Sequence, residues 1–215
     1  MRTLAGTVLV LCISATAAAQ APNTDISLRV YGISATRDAT LSAVTVGSGS
    51  GTMTGGEFAT RYAWAGLTLR LVNGDVATAS GAAGSGSSLT TAEVRVQLGV
   101  RVASLDVGYA MRAVTGSLGT TTYSYLRAGA SSILDVGATG VSGRLSLGMY
   151  FGGQGVPNTT VSGQEIVAAL DYRVRGPFFV TLGYRSEVFQ ATSAGQVRAE
   201  HVSGVLVGAG IRYAR

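Results

Sequence analysis

The sequence predicts an all-β chain: an antiparallel up-and-down barrel that crosses a membrane with its strands. Three observations carry that expectation. Apolar and polar residues alternate with a period of two along segment after segment, the mark of a strand with one apolar and one polar face. The apolar faces are almost free of charge over the ~9–11 residues that a tilted membrane strand requires. Turn-forming residues separate the segments in a pattern of short turns and looser Gly-, Ser- and Thr-rich stretches.

Taken in chain order, the first segment is of another kind. Met1 and Arg2, an apolar run from Leu4 to Ile13, and Ala17-Ala18-Ala19 before Gln20 read as a secretory signal peptide over residues 1–19. A membrane helix would need about 20 apolar residues, and the run is too short. Cys12 is the one cysteine, so its removal leaves a mature chain without disulfide or cysteine-based metal chemistry. Residues 20–215 then form a single domain.

Nine segments alternate. They are Ile26 to Ser34, Tyr62 to Val72, Glu93 to Val102, Asp106 to Val114, Tyr123 to Leu134, Gly143 to Phe151, Glu165 to Val174, Phe178 to Glu187 and Val205 to Tyr213. Between Glu93 and Val102 the even positions read Val94, Val96, Leu98, Val100 and the odd ones Glu93, Arg95, Gln97, Gly99. Ala103 to Asp106, Asp135 to Gly140 and Arg175-Gly176-Pro177 read as short turns, and Gly116 to Thr120, Gly152 to Asn158 and Ala191 to Gln196 as longer loops. An even strand number requires a tenth segment. Either Asp75 to Gly81 supplies it and residues 37–56 are a loop, or Leu41 to Val46 supplies it and residues 73–88 are the loop. Eight strands would result if two weak N-terminal segments were loop.

A secreted soluble β-sandwich also alternates and is the fold-level alternative. Aromatics near the strand ends favour the membrane, with Tyr109, Tyr172, Phe178 and Tyr213 toward the short turns and Phe151, Tyr184 and Phe189 toward the loops, as an interfacial girdle requires. The final segment, Val205-x-Val207-x-Ala209-x-Ile211-x-Tyr213, resembles the C-terminal targeting strand of bacterial outer-membrane barrels, although two residues follow the last aromatic. The chain as a whole resembles the small bacterial outer-membrane β-barrel proteins, of the porin-like and OmpA-like kind. That resemblance implies residence in the outer membrane, lipid as a partner, and the barrel assembly machinery as a partner through the C-terminal strand. It implies no activity.

If apolar positions face lipid, the lumen receives Arg29, Arg70, Arg95, Arg101, Arg112, Arg127, Arg144, Arg173, Arg185 and Arg212, with Glu93, Glu165, Asp171 and Glu187. Ten positive groups against four negative leave an excess of six. In a barrel of eight to ten strands the lumen is filled by side chains, so these groups are expected to interlock. Inward Gly99, Gly108, Gly129, Gly148, Gly183, Gly208 and Gly210 leave room for them. The function expected is structural or surface-interacting, without catalysis, and the alternatives are a narrow anion-preferring or small-solute channel and a lipid-modifying outer-membrane hydrolase. All 16 basic residues are Arg, a bias that GC-rich coding would also produce. The pI of about 9.7 does not point to nucleic acid, because the arginines are spread one or two per strand without a basic cluster.

No residues are expected to be catalytic, to bind a cofactor or to hold a metal. His201 is the only histidine, and Ser203 shares its strand face. A His and a Ser on the outside of a barrel resembles the arrangement in outer-membrane lipid A deacylases, but no acid follows Ser203, and Glu200 alternates to the other face. Gly152-Gly153-x-Gly155 and the Gly81 to Ser88 tract do not lead from a strand into a helix, so neither cradles phosphate.

Overall fold

The computed structural model describes residues 24–42, 44–76, 87–116, 119–154, 159–193 and 196–214. The expected leader at residues 1–19 and Cys12 lie outside the described residues. Ten strands run in chain order: β1 (Thr24–Leu41), β2 (Val44–Tyr62), β3 (Ala65–Val76), β4 (Ser87–Val100), β5 (Ala103–Gly116), β6 (Gly119–Asp135), β7 (Val141–Gln154), β8 (Thr159–Arg175), β9 (Phe178–Ser193) and β10 (Gln196–Ala214). Each pairs antiparallel with its sequence neighbours, and β1 pairs with β10 from Asp25↔Ala214 to Leu41↔Arg198. The sheet is therefore closed, and neither the sandwich nor the eight-strand count survives.

The tenth strand is β2, and neither expected threading places it correctly. Residues 37–56 are not a loop: β1 continues to Leu41, Ser42 turns the chain with φ 49, and β2 runs back from Val44 through the Gly-rich stretch. Glycine is unfavourable in a strand, but here every residue of β2 has a ladder partner on β1 except Val46, at the register shift opposite Ala39/Thr40. The alternative strand at Leu41 to Val46 comes nearer, although its residues straddle the turn. The expected contrast between short turns and long loops is also corrected. At the end where β1 begins at Thr24 and β10 finishes at Ala214, the terminus end, the links are residues 63–64, 101–102, 136–140 and 176–177. At the opposite, loop end they are 42–43, 77–86, 117–118, 155–158 and 194–195, so only one is long. Strands of 18 and 19 residues exceed what a bilayer needs, and Gly116, Gly119, Thr120, Gly152 to Gln154, Ala191 to Ser193 and Gln196, expected as loop, belong to strands instead. The 103–106 turn moves for the same reason: the turn is Arg101 and Val102, and Ser104 and Asp106 already belong to β5.

Outside, the barrel carries a continuous apolar belt. Val94, Val96 and Leu98 of β4, Leu145, Leu147 and Met149 of β7, and Val180, Leu182 and Tyr184 of β9 are all exposed. Tyr62, Trp64, Tyr172, Phe178 and Tyr213 ring the terminus end, and Phe151 and Tyr184 lie nearer the loops. Phe189 departs from the expected girdle: it is fully buried and points inward. A soluble exterior does not present apolar side chains on every strand. A closed barrel is the β-architecture that satisfies all its backbone groups within lipid, and such barrels belong to the outer membrane. The chain is an integral outer-membrane β-barrel. Leu182 stands in the middle of the belt on β9, so Leu182→Arg is expected to cost about 2–4 kcal/mol in urea unfolding of the bilayer-reconstituted protein.

Candidate functional site: the lumen and the outer rim

Alternation that puts apolar residues outside sends the other face of every strand inward. Of the ten arginines expected there, Arg101 and Arg173 are not lumenal. Arg101 occupies the turn after β4, where it grips Asp135 with Nη1 to Oδ2 at 2.6 Å. Arg173 keeps the inward parity, opposite buried Phe179, but it is exposed at the open mouth of the barrel near Asp171 and Arg212, just before the register shift between Arg173 and Arg175. Three arginines that the alternating segments missed, Arg37, Arg61 and Arg198, join the lumenal set. So do four acids, Asp25, Glu57, Asp106 and Glu200. The excess of positive charge is thereby three rather than six. Each of the missed residues but Asp106 lies in β2 or at a strand end outside the segment expected from the alternation, and Asp106 stands where the expected turn at Ala103 to Asp106 meets its segment.

The charges interlock across the barrel. Glu165 on β8 accepts from Arg70 at 2.7 and 3.2 Å and pairs with Arg185 at 2.9 Å. Arg70 and Arg127 both reach Glu93, and Arg127 also holds Asp106. Glu57 takes Arg29 at 2.7 Å and Arg144 at 2.9 Å. Asp171 takes Arg29 at 2.8 Å, Arg212 at 3.3 Å and the Thr181 hydroxyl at 2.7 Å. Nearer the loops, Arg112 bridges Glu187 and Glu200, and Arg37 closes on Glu200 at 2.6 Å. Glycine makes this packing feasible: a Cβ at Gly148 would stand 2.5 Å from Arg127 Nε, and one at Gly55 2.4 Å from the Tyr31 ring.

The lumen is not polar throughout, as the sequence suggested. Its loop half is packed by buried Ile33, Met53, Val72, Val76, Leu89, Val114 and Val161. Within this apolar packing Phe189 meets Tyr123 at 5.4 Å and Tyr125 at 5.5 Å, Tyr125 meets Tyr150 at 4.9 Å, and Arg112 lies 4.5 Å over the Phe189 ring. The terminus half opens instead into a well of about 80 Å³ with Tyr31, Val167 and Leu206 at its inner end. The barrel is thus sealed on one side and hollow on the other.

At the loop end of the exterior, His201 and Ser203 do share a face, and Glu200 points inward, as expected. The two do not bond to each other. His201 Nε2 is 3.1 Å from the Ser186 hydroxyl of β9, while the Ser203 hydroxyl is 3.2 Å from that of Thr36 on β1. The acid missing from the stretch after Ser203 lies across the closing seam. Asp38 is the ladder partner of His201, and its carboxylate accepts from the Ser48 hydroxyl at 2.7 Å. A separation of 163 positions hides that neighbour until β1 and β10 are paired. Among the described residues no cluster of His, Cys, Asp and Glu could hold a metal ion.

Glu165 is the acceptor shared by most of the central network, so Glu165→Gln strands buried guanidiniums. It is expected to destabilise the refolded barrel by about 3–5 kcal/mol in urea titration, whereas Asp75→Asn on the exposed face should change the midpoint little.

No protein-family model matches the chain, and no curated protein matches it. Among solved structures it is similar to Neisserial surface protein A (NspA), at 12% identity over 87% of this chain and 97% of that chain, with a TM-score of 0.45. It is similar to the outer membrane protease OmpT from Escherichia coli, at 8% identity over 89% and 96%, with a TM-score of 0.49. It is also similar to Ail, the attachment invasion locus protein of Yersinia pestis, at 9% identity over 90% and 100%, with a TM-score of 0.34.

Proposed function

We propose that the protein is a non-conducting, non-enzymatic barrel that contributes to envelope structure or surface interaction. The observation that carries this reading is the apolar packing across the loop half of the lumen. Tyr123, Tyr125, Tyr150 and Phe189 close around Arg112, and behind them Glu165 and Glu93 hold the central arginines. An ion crossing this path would have to break buried charge pairs and separate packed rings, and neither step is compensated by water. The termini lie at the periplasmic end in this reading, and the loop end faces outward. The exposed Val205, Val207 and Tyr213 of β10 fit recognition of the last strand by the barrel assembly machinery.

In planar bilayers the purified protein is expected to give no discrete conductance. Regular single-channel openings that fall when the lumen is filled at Arg144 would instead establish the narrow anion passage.

A second reading, a lipid-modifying hydrolase, draws on Ser186, His201 and Asp38 at the loop rim. In that reading His201 would take the proton of the Ser186 hydroxyl as it attacked an acyl ester. Asp38 is engaged by Ser48 rather than by the imidazole, which is why this reading ranks second. Ester hydrolysis that His201→Ala abolishes, with the barrel still folded, would promote it above the structural role.

A further inference from the structure

The well at the terminus end has an unusual wall. Seven guanidiniums line it, those of Arg29, Arg61, Arg70, Arg95, Arg144, Arg185 and Arg212, against the two carboxylates of Asp25 and Glu57. Four of the seven are neutralised from behind the wall. Arg70 and Arg185 are held by Glu165, and Arg29 and Arg212 by Asp171. The other three are poorly matched. Arg61 donates only to neutral acceptors, the Gly99 carbonyl at 2.9 Å, the Gln97 amide oxygen at 3.3 Å and the Ser104 hydroxyl at 3.2 Å. Arg95 is buried, yet its two ion pairs, to Glu57 and Glu93, are both 3.5 Å long, and its Nε has no hydrogen-bond partner. Arg144 shares Glu57 with Arg29 and Arg95, and its Nε is likewise without a hydrogen-bond partner.

Glu57 serves three guanidiniums, of which Arg29 also reaches Asp171 and Arg95 also reaches Glu93, while Arg61 beside them faces its ladder partner Asp25 without forming an ion pair, so positive charge is in excess around an open space. Desolvated charge of one sign is costly unless a counter-charge accompanies it. Planar guanidiniums converging on a cavity suit a tetrahedral oxoanion, which can take forked hydrogen bonds from several of them. Thr68, Ser131 and Ser146 add hydroxyls to the same wall. The space of about 80 Å³ admits a small anion with a few waters, since one water occupies about 10–15 Å³ on this measure. It is too small for a sugar or a peptide.

We propose that this well binds a small divalent oxoanion of the phosphate or sulfate type, entering from the end where both termini lie, with Arg61, Arg95 and Arg144 as its ligands. The site is blind, because the apolar packing above Tyr31 closes the other end, so it binds the anion without passing it on. This goes beyond the structural role proposed above and stands whether or not that role holds.

The test is calorimetric titration of inorganic phosphate into the full chain refolded in detergent, against sodium chloride at matched ionic strength. Saturable one-site binding is expected for phosphate and none for chloride. Arg61→Gln removes no carboxylate contact, so the barrel should still fold, as judged by its retained heat-dependent shift in SDS gels, while affinity falls at least tenfold. Arg61→Lys keeps the charge but not the fork and should fall between the two, and Arg173→Gln on the exposed surface should bind as the unaltered protein does. Phosphate heats equal to those of chloride, or equal affinity in the folded Arg61→Gln and unaltered proteins, would overturn the proposal.

Discussion

The bilayer core offers no water to an unpaired amide, and the rest of the structure depends on that constraint. A strand with a free edge would leave a row of backbone groups unsatisfied in lipid, each costing several kcal/mol. The seam between β1 and β10, paired along nearly the whole of both strands, removes the last edge. Closure then reverses the usual sense of alternation. Leu, Val and Met point out to lipid, and everything polar on the other face is enclosed in a space too narrow to stay fully wet. The buried charge network is therefore a consequence of closure before it is an adaptation to anything else.

An enclosed charge is tolerable only when paired, and the barrel pairs its charges over long distances in sequence. Arg70 and Glu165 are 95 positions apart, and Arg29 and Asp171 are 142 apart. Such pairs tie opposite walls together as no ladder bond can, because a ladder bond joins only adjacent strands. Removing a carboxylate is worse than its own lost contacts suggest, since several guanidiniums depend on it at once. Glycine fits the same logic: Gly148 gives up a side chain so that the Arg127 guanidinium can lie against the β7 backbone.

Much of this was legible in the chain. The period-two alternation of β4, β7, β8, β9 and β10 identified strands and assigned faces, and the lumenal positions of Arg29, Arg70, Arg95, Arg112, Arg127, Arg144, Arg185 and Arg212 followed from parity alone. Parity fails where it has no contrast to read. From Gly47 to Gly56, β2 is built of Gly, Ser, Thr and one Met, so neither face is distinctly apolar, and Glu57 was overlooked with it. It also misplaces Arg173, which keeps the inward parity opposite buried Phe179 but stands at the mouth of the barrel, where inward no longer means enclosed. The strand ends were misjudged since they project beyond the lipid, where outward positions such as Thr36, Asp38 and His201 become polar and the alternation disappears. No one-dimensional pattern could reveal Asp38 beside His201, which is a property of the seam.

The lumen also differs between its two halves in how its charges are matched. Toward the loops, Arg112 has two carboxylates and an aromatic face, and apolar side chains fill the remaining space. Toward the termini, Arg61 forms no ion pair, although Asp25 is its ladder partner, and the space beside it is left open. A barrel selected for rigidity alone gains nothing from that hollow, since Leu or Phe at its lining positions would add buried apolar area and remove the unmatched charge. The hollow and the unmatched arginines occur together, on the side reached from the termini, and each makes sense of the other: the charge is bearable because the space admits a counter-ion, and the space persists because the arginines keep it polar.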